Sequence, residues 1–143
     1  MAERAESGFE IVEHTADVGF EAWAQTPEAL FETCGRALLE VATEPGRVEA
    51  REALPIEVAA AGYDELLVDW LNEILYLFDS GRFAPSGFEV RELTREKLTG
   101  VLTGEPRDPA RHPWQLIVKA VTYHDLFVGR RNGRWEARVV LDV

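Results

Sequence analysis

Apolar residues recur at helical spacing in two stretches of the chain. In the first, "TPEALFETCGRALLEVA" (26–42), Thr26 suits the N-cap and Pro27 the first helical position. In the second, "GYDELLVDWLNEILYLFDSG" (62–81), Asp64 is the expected cap and the apolar stripe is wide. The pattern therefore predicts two helices that bury one broad face each. Their apolar positions are Leu30, Cys34, Ala37, Leu38 and Val41, and Leu67, Trp70, Leu71, Ile74, Leu75 and Phe78.

The rest of the chain alternates or is rich in β-branched and aromatic residues, which is typical of strands. The predicted strands cover 9–14, 19–24, 54–61, 87–94, 97–105, 114–130 and 134–143. Asn132-Gly133 joins the last two strands, because both residues tolerate the positive φ of a tight hairpin turn. In the final strand Trp135 and Val139 share one face, whereas Arg138 and Asp142 share the other.

Two helices and many strands are most simply arranged as an α+β fold. We expect two layers, with a mostly antiparallel sheet and both helices on one of its faces. The loop "TGEPRDPARHP" (103–113) and the strands before it are expected to form a small inserted β-rich lobe. At 143 residues the chain fits a single domain spanning 1–143, with 1–8 as a flexible N-terminal tail.

Composition restricts the protein to an ordinary cytoplasmic class. The apolar share is 46% and the charged share is 29%, as in soluble globular proteins. The single cysteine, Cys34, cannot form an internal disulfide, and its place on an apolar stripe indicates a core residue. No apolar run approaches the roughly 18 residues of a membrane span, and no signal peptide is recognisable.

The charge balance argues against tight, direct binding of RNA or DNA. The chain has 15 Lys and Arg against 26 Asp and Glu, a formal net charge of -11, whereas nucleic-acid binders usually gather cations into a patch. Arginines do cluster near the end, at Arg130, Arg131, Arg134 and Arg138. We expect these side chains to be solvated at strand and turn edges.

Carboxylates at both ends of the chain suggest a cation site. Asp17 lies in "HTADVG" (14–19), between two predicted strands, and Asp142 directly precedes Val143. Alone, Asp17 is more simply a turn cap. If the last strand pairs beside the first strands, however, Asp17, Asp142 and the terminal oxygens converge, and such anions repel unless a cation bridges them. Oxygen-only ligands suit Ca²⁺ or Mg²⁺.

Other candidate chemistry is weaker. His14, His112 and His124 lack the close spacing of zinc motifs, and phosphate-loop, nucleophile-elbow and dinucleotide motifs are absent from the sequence. In "GEPRDPARH" (104–112) the polar residues either contact a phosphate or substrate, or hold their own turn together. The polar face of the second helix, which includes Asn72, is expected to be solvated.

The motifs "HTADVG", "LLVDWLNEILYLFD", "GEPRDPARH" followed by "KAVTYH", and "VVLDV" together resemble those of the archease family. The likeness runs from about Phe9 to Val143, and no single motif would suffice. The resemblance implies a compact α+β body and a small accessory protein, not itself an enzyme. Its implied partner is the tRNA-splicing RNA ligase, which joins 2′,3′-cyclic phosphate or 3′-phosphate ends to 5′-hydroxyl ends.

The resemblance also implies what the protein does for that partner. Archeases promote guanylylation of the ligase and allow it to turn over repeatedly. The family's cation site, associated with Ca²⁺, carries over to Asp17, Asp142 and Val143, with Mg²⁺ or Mn²⁺ as other divalent candidates. His14, Lys119 and His124 match motif positions without an assigned role.

Two other interpretations use the same residues. In one, the protein is a metal-dependent phosphoester hydrolase, with Asp17 and Asp142 holding the metal and His14 as the base. In the other, it is a chaperone-like protein-binding module, and the cation is purely structural.

Overall fold

A computed structural model describes residues 6–14, 17–44 and 46–143 of the chain. Within these residues the chain forms two helices and eight strands. The helices are α1 (Pro27–Ala42) and α2 (Tyr63–Asp79). The strands are β1 (Gly8–His14), β2 (Asp17–Ala24), β3 (Glu52–Ala59), β4 (Ala84–Leu93), β5 (Lys97–Glu105), β6 (Ala120–Val121), β7 (Phe127–Arg131) and β8 (Arg134–Asp142).

The strands are divided between two antiparallel sheets. The first has the order β1-β2-β8-β6, and β7 also pairs with β8. The second has the order β3-β5-β4. The predicted α+β class with mostly antiparallel pairing is therefore confirmed. The division into two sheets is an addition, since alternation along single strands does not tell which strands share a sheet.

Both helices contact strands of both sheets. Because of this position, each helix buries a wide surface. Residues of the helices and of both sheets form one hydrophobic cluster. Trp70 on α2 is fully buried, donates its indole N–H to the carbonyl of Phe31 on α1 at 3.2 Å, and packs edge-on against Phe88 of β4. The β3-β5-β4 sheet thus shares its core with the rest of the protein.

Helix α1 begins where the pattern placed it, whereas α2 begins earlier, and only one of the two predicted caps is present. The Thr26 hydroxyl accepts a hydrogen bond from the backbone N–H of Ala29 at 3.1 Å, as expected for an N-cap. The Asp64 cap is wrong. Helix α2 begins two residues earlier than that cap implies, at Tyr63, so its N-cap is Gly62, which has no side chain to accept a hydrogen bond.

The long strand predicted over 114–130 is also wrong. Only β6 and β7 are regular strand, because the chain leaves the sheet between them and Asp125 adopts a left-handed backbone with φ of 49°. Before β6 the chain instead follows the end of α1, where the N–H of Gln115 donates to the Ala42 carbonyl at 2.8 Å. Extended, apolar sequence alone did not reveal this break.

Three remaining sequence expectations concern the ends, the core and the membrane. Residues 1–5 of the predicted tail lie outside the described residues, whereas Gly8 already begins β1. Cys34 is fully buried, as predicted, and burial raises the pKa of its thiol far above the ordinary value. Across the described ranges, neither helix has the length and apolar character needed to cross a membrane.

Candidate metal centre

The pairing of β2 with β8 brings the two ends of the chain together. Val18 is the partner of Leu141, and Gly19 is the partner of Val140. In this antiparallel register the next positions outward are Asp17 and Asp142, on neighbouring central strands at the same end of the sheet. The strand adjacency on which the predicted site depends is therefore present.

Both carboxylates project from the outward face of the five-stranded sheet. Side chains alternate along each strand, and the inward positions, such as Phe20 and Leu141, are buried in the hydrophobic cluster. Asp17 and Asp142 have the opposite parity and are exposed. Asp17 was expected in a loop, but it is the first residue of β2 and the partner of His14 on β1. The neighbouring positions 15 and 16 lie outside the described residues.

Val143 follows Asp142 directly and is 40% exposed. Its main chain therefore lies beside Asp142 at the same end of the sheet. Among the described side chains, no group of three or more His, Cys, Asp or Glu is close enough to hold a metal ion. The donor set predicted for this end of the sheet is two carboxylates together with main-chain oxygen, a chemistry that suits a hard divalent cation.

A cavity of about 310 Å³ adjoins Asp17 on the same face. Gly19 and Val140 line it, as does the ion pair in which Arg138 lies 3.4 Å from Glu21. Because both charged and apolar residues line the cavity, it can admit a side chain or small group of a partner beside the candidate cation.

Asp125 also lines this cavity, and the sequence reasoning missed it. Its carboxylate lies 3.3 Å from Nε2 of His124, and both side chains are exposed. Asp is one of the few residues that tolerate a left-handed backbone, so "HD" after a strand was an available signal for a turn. The turn gives this acid access to the Asp17 cavity.

The "KAVTYH" motif places β6 beside Asp142. Ala120 is the register partner of Asp142, and the N–H of Lys119 donates to the Asp142 carbonyl at 2.7 Å. Asn72 of α2 anchors the strand from the other side, since its side-chain amide makes hydrogen bonds of 3.3 and 2.8 Å with the backbone of Val121. Asn72 was expected to be solvated, but it is a positioning residue for β6.

The "GEPRDPARH" loop is held together by its own polar groups. Nδ1 of His112 accepts from the N–H of Asp108 at 2.9 Å, so Nε2 carries the proton and donates to Glu105 at 3.1 Å. His112 and Glu105 are both buried, and Arg111 lies 3.3 Å from Glu105. Of the two alternatives for this loop, the geometry supports the turn that its polar groups hold together, with a further hydrogen bond from the Glu49 N–H to Glu105 at 2.9 Å.

Glu105 gives the loop a pH dependence. The hydrogen bond from the N–H of Glu49, followed by those from His112 and the charge of Arg111, holds the pKa of Glu105 below its usual value despite the opposing effect of burial. A lowered folded-state pKa stabilises the fold above the unfolded-state pKa, and this contribution disappears as pH falls through the folded value.

We therefore expect Glu105→Gln to destabilise the protein more at pH 7 than at pH 4. Urea unfolding at both pH values checks this, with Glu92→Gln, an exposed β4 residue, as the matched control whose difference from the wild type should not change. An equal loss at both pH values in Glu105→Gln would mean that ionisation of this carboxyl adds nothing to stability.

Comparisons with known proteins identify the family. The family model described as "Archease protein family (MTH1598/TM1083)" matches residues 9–143. The chain belongs to the archease family. Protein archease from Methanopyrus kandleri is 45% identical over 138 residues, which cover 94% of this chain and 99% of the relative. Protein archease from Pyrococcus furiosus is 35% identical over 139 residues, covering 94% and 98%.

Solved structures agree with this membership. The solution structure of Methanobacterium thermoautotrophicum protein 1598 has a TM-score of 0.76 and 34% identity, covering 95% of this chain and 99% of that one. The crystal structure of an archease from Thermotoga maritima has a TM-score of 0.63 and 22% identity, covering 92% and 94%, and supports the fold only. The resemblance drawn from the four motifs is thus confirmed.

Proposed function

We propose that this protein is a non-enzymatic activator of the tRNA-splicing RNA ligase. In this proposal it promotes guanylylation of the ligase and its repeated turnover. It does so with a divalent cation, Ca²⁺ in the first place, bound by Asp17, Asp142 and an oxygen of Val143. The cation end of the sheet then faces the ligase.

The observation that carries the proposal is the β2–β8 register in a chain of the archease family. It brings the ends of β2 and β8 that carry Asp17 and Asp142 to the same exposed end of the sheet. Two carboxylates that converge on one place repel each other in the absence of a counter-ion. A cation shared with a partner's phosphate or carboxylate group would relieve that repulsion, which links metal binding to docking.

The deciding experiment is reconstituted ligation. A purified ligase is given excess RNA with a 2′,3′-cyclic phosphate end and a 5′-hydroxyl end, with and without this protein. We expect product to exceed the amount of ligase only when the protein is present, and guanylylated ligase to form faster. The same product yield without the protein would refute activation.

The charge of -11 gives the proposal a second test. At physiological salt the protein alone should have negligible affinity for the RNA, because it lacks the net positive charge that drives counterion release. Tight RNA binding by the protein alone would contradict this proposal and indicate that the protein acts by binding RNA directly. Turnover of phosphoesters by the protein alone with Mg²⁺ or Mn²⁺ would instead favour the hydrolase interpretation.

Ca²⁺ is expected to raise the melting temperature of the wild type. A ligand at about 100 times its dissociation constant stabilises the native state by about 2.7 kcal/mol, which in a protein of this size corresponds to about 5–10 °C. Differential scanning fluorimetry with Ca²⁺ or with EDTA measures the shift. The shift should disappear in Asp142→Asn and persist in Glu92→Gln. The same wild-type melting temperature in Ca²⁺ and in EDTA would contradict the presence of a Ca²⁺ site.

A further inference from the structure

A large open cleft includes Trp135, at the end of β8 away from the candidate cation site. We call it the aromatic cleft, and its volume is about 1000 Å³. Trp135, at the opposite end of β8, is seven residues from Asp142, which corresponds to about 23 Å along a strand. The cleft is lined by Ala61, Gly62, Tyr63, Asp64, Glu65, Arg95, Tyr123, Val128, Gly129, Arg130 and Trp135.

Aromatic rings and guanidinium groups form much of this lining. Tyr63 packs edge-on against Trp135 with ring centroids 5.4 Å apart, and the guanidinium of Arg95 lies 5.5 Å from the Tyr63 ring centre. Tyr123 is 58% exposed although it is a large aromatic residue. Tyr, Trp and Arg are the residue types most enriched where protein partners bind tightly.

Arg130 differs from the other arginines of its cluster. Arg131 and Arg134 both lie 2.8 Å from Glu136, and Arg138 pairs with Glu21. Among the residues that the structure describes, neither Arg130 nor Arg95 has a carboxylate within salt-bridge distance. In a protein with a large negative net charge, two such cations in one cleft favour an acidic group of a binding partner.

The cleft also contains acidic groups. Asp64 and Glu65 line it at the first turn of α2. The pKa of Tyr123 is raised by partial desolvation of its hydroxyl and then by the negative charges of Asp69, Glu65 and Asp64. A polyphosphate would be repelled by these carboxylates, whereas a peptide can place an acidic and a basic side chain against cleft groups of opposite charge.

We propose that the aromatic cleft is a second docking surface, which binds an extended protein segment carrying an acidic side chain, an apolar side chain and a basic side chain. This inference rests on the proposed function, because the segment belongs to the RNA ligase. The acidic side chain pairs with Arg95 and Arg130, the apolar one packs on Tyr63 and Trp135, and the basic one faces Asp64. The cation end and the cleft then contact the ligase at two separated places.

The test measures the affinity of the purified ligase for three forms of the protein by calorimetry. Arg130→Glu should raise the dissociation constant by about tenfold or more, the usual cost of losing a central interface arginine. The matched control is Arg82→Glu, which makes the same charge change at another exposed arginine that does not line the cleft, and it should change the constant by less than about twofold. In the ligation assay, the concentration of the Arg130→Glu variant that gives half-maximal stimulation should be higher than that of the wild type. Its stimulation at saturation should equal that of the wild type.

The possible outcomes separate this inference from the proposed function. If the wild type does not bind the ligase at all, both are overturned. If the wild type binds and Arg130→Glu binds equally well, only the docking role of the cleft is overturned. If the wild type binds GMP and Arg130→Glu does not, the cleft is a nucleotide site instead. If the wild type self-associates and Arg130→Glu does not, the cleft binds a second copy of the chain.

Discussion

The Asp17→Asn variant is expected to lose most of its stimulation of the RNA ligase at saturating concentration, while keeping its fold. Asp17 is exposed at the end of β2, so the substitution removes one negative charge with little change in packing. Changing even the outer partners of metal ligands usually costs about 10–100-fold in affinity or activity. We therefore expect the plateau of multiple-turnover ligation to fall at least about tenfold, because a direct ligand is removed.

Asp142→Asn and the double variant make this prediction specific. If both carboxylates hold one ion, each single variant loses the same activity and the double variant is hardly worse, because residues that act as a unit are not additive. Glu92→Gln removes a carboxylate from β4 of the other sheet and should stimulate like the wild type. A full plateau in both single variants would exclude this site from activation. Loss of the Ca²⁺-induced melting shift with a full plateau would make the cation purely structural.

Local patterns predicted the local elements well, for physical reasons that the structure makes plain. A helix brings together residues three and four positions apart, so the sequence alone predicted the apolar stripe of α2. The Asn132-Gly133 turn was equally legible, since Asn132 and Gly133 both have positive φ. The alternation in β8 followed, with Val139 and Leu141 buried and Arg138 exposed.

The pairing of strands that are distant in the sequence could not be predicted in the same way. The β2–β8 pairing joins residues more than a hundred positions apart, such as Val18 and Leu141, and nothing local to either strand selects its neighbour. From the residues alone the cation site was therefore conditional on strand adjacency, and the resemblance to archeases strengthened it. The same limit hid the second sheet and the contact of Asn72 with β6, because both depend on which elements meet.

The buried pair of Glu105 and His112 shows a related limit. Charged residues in a loop are usually solvated, and only the fold provides the Glu49 N–H that makes burial of Glu105 tolerable. Asp125 is a similar case, because its turn is local but its access to the Asp17 cavity comes from the placement of β6 and β7. Residue types alone indicated which side chains could bind a cation or carry charge. Which of these side chains lie close together could be learned only from the folded structure.

Gly19→Ala is expected to cause a large loss of stability and to weaken the cation site. A Cβ at Gly19 would lie 2.1 Å from the Val139 carbonyl oxygen and 3.2 Å from Cα of Val140. These are backbone atoms of the paired strand, so no side-chain rotation relieves the clash and β2 must separate from β8. Overpacking of this kind costs about 1–3 kcal/mol or more, and we expect a melting temperature lower by about 5–10 °C.

The control for this prediction is Gly129→Ala on β7. Its added Cβ would meet no atom closer than 3.5 Å, the ordinary contact with the Phe127 ring, so its melting temperature should stay near that of the wild type. Because Gly19 and Val140 pair two positions before Asp17 and Asp142 along the two strands, separation of the strands also displaces the two carboxylates. The Ca²⁺-induced shift should therefore shrink in Gly19→Ala and not in Gly129→Ala. Equal melting temperatures and equal shifts in the two variants would show that close β2–β8 contact neither stabilises the fold nor holds the cation site.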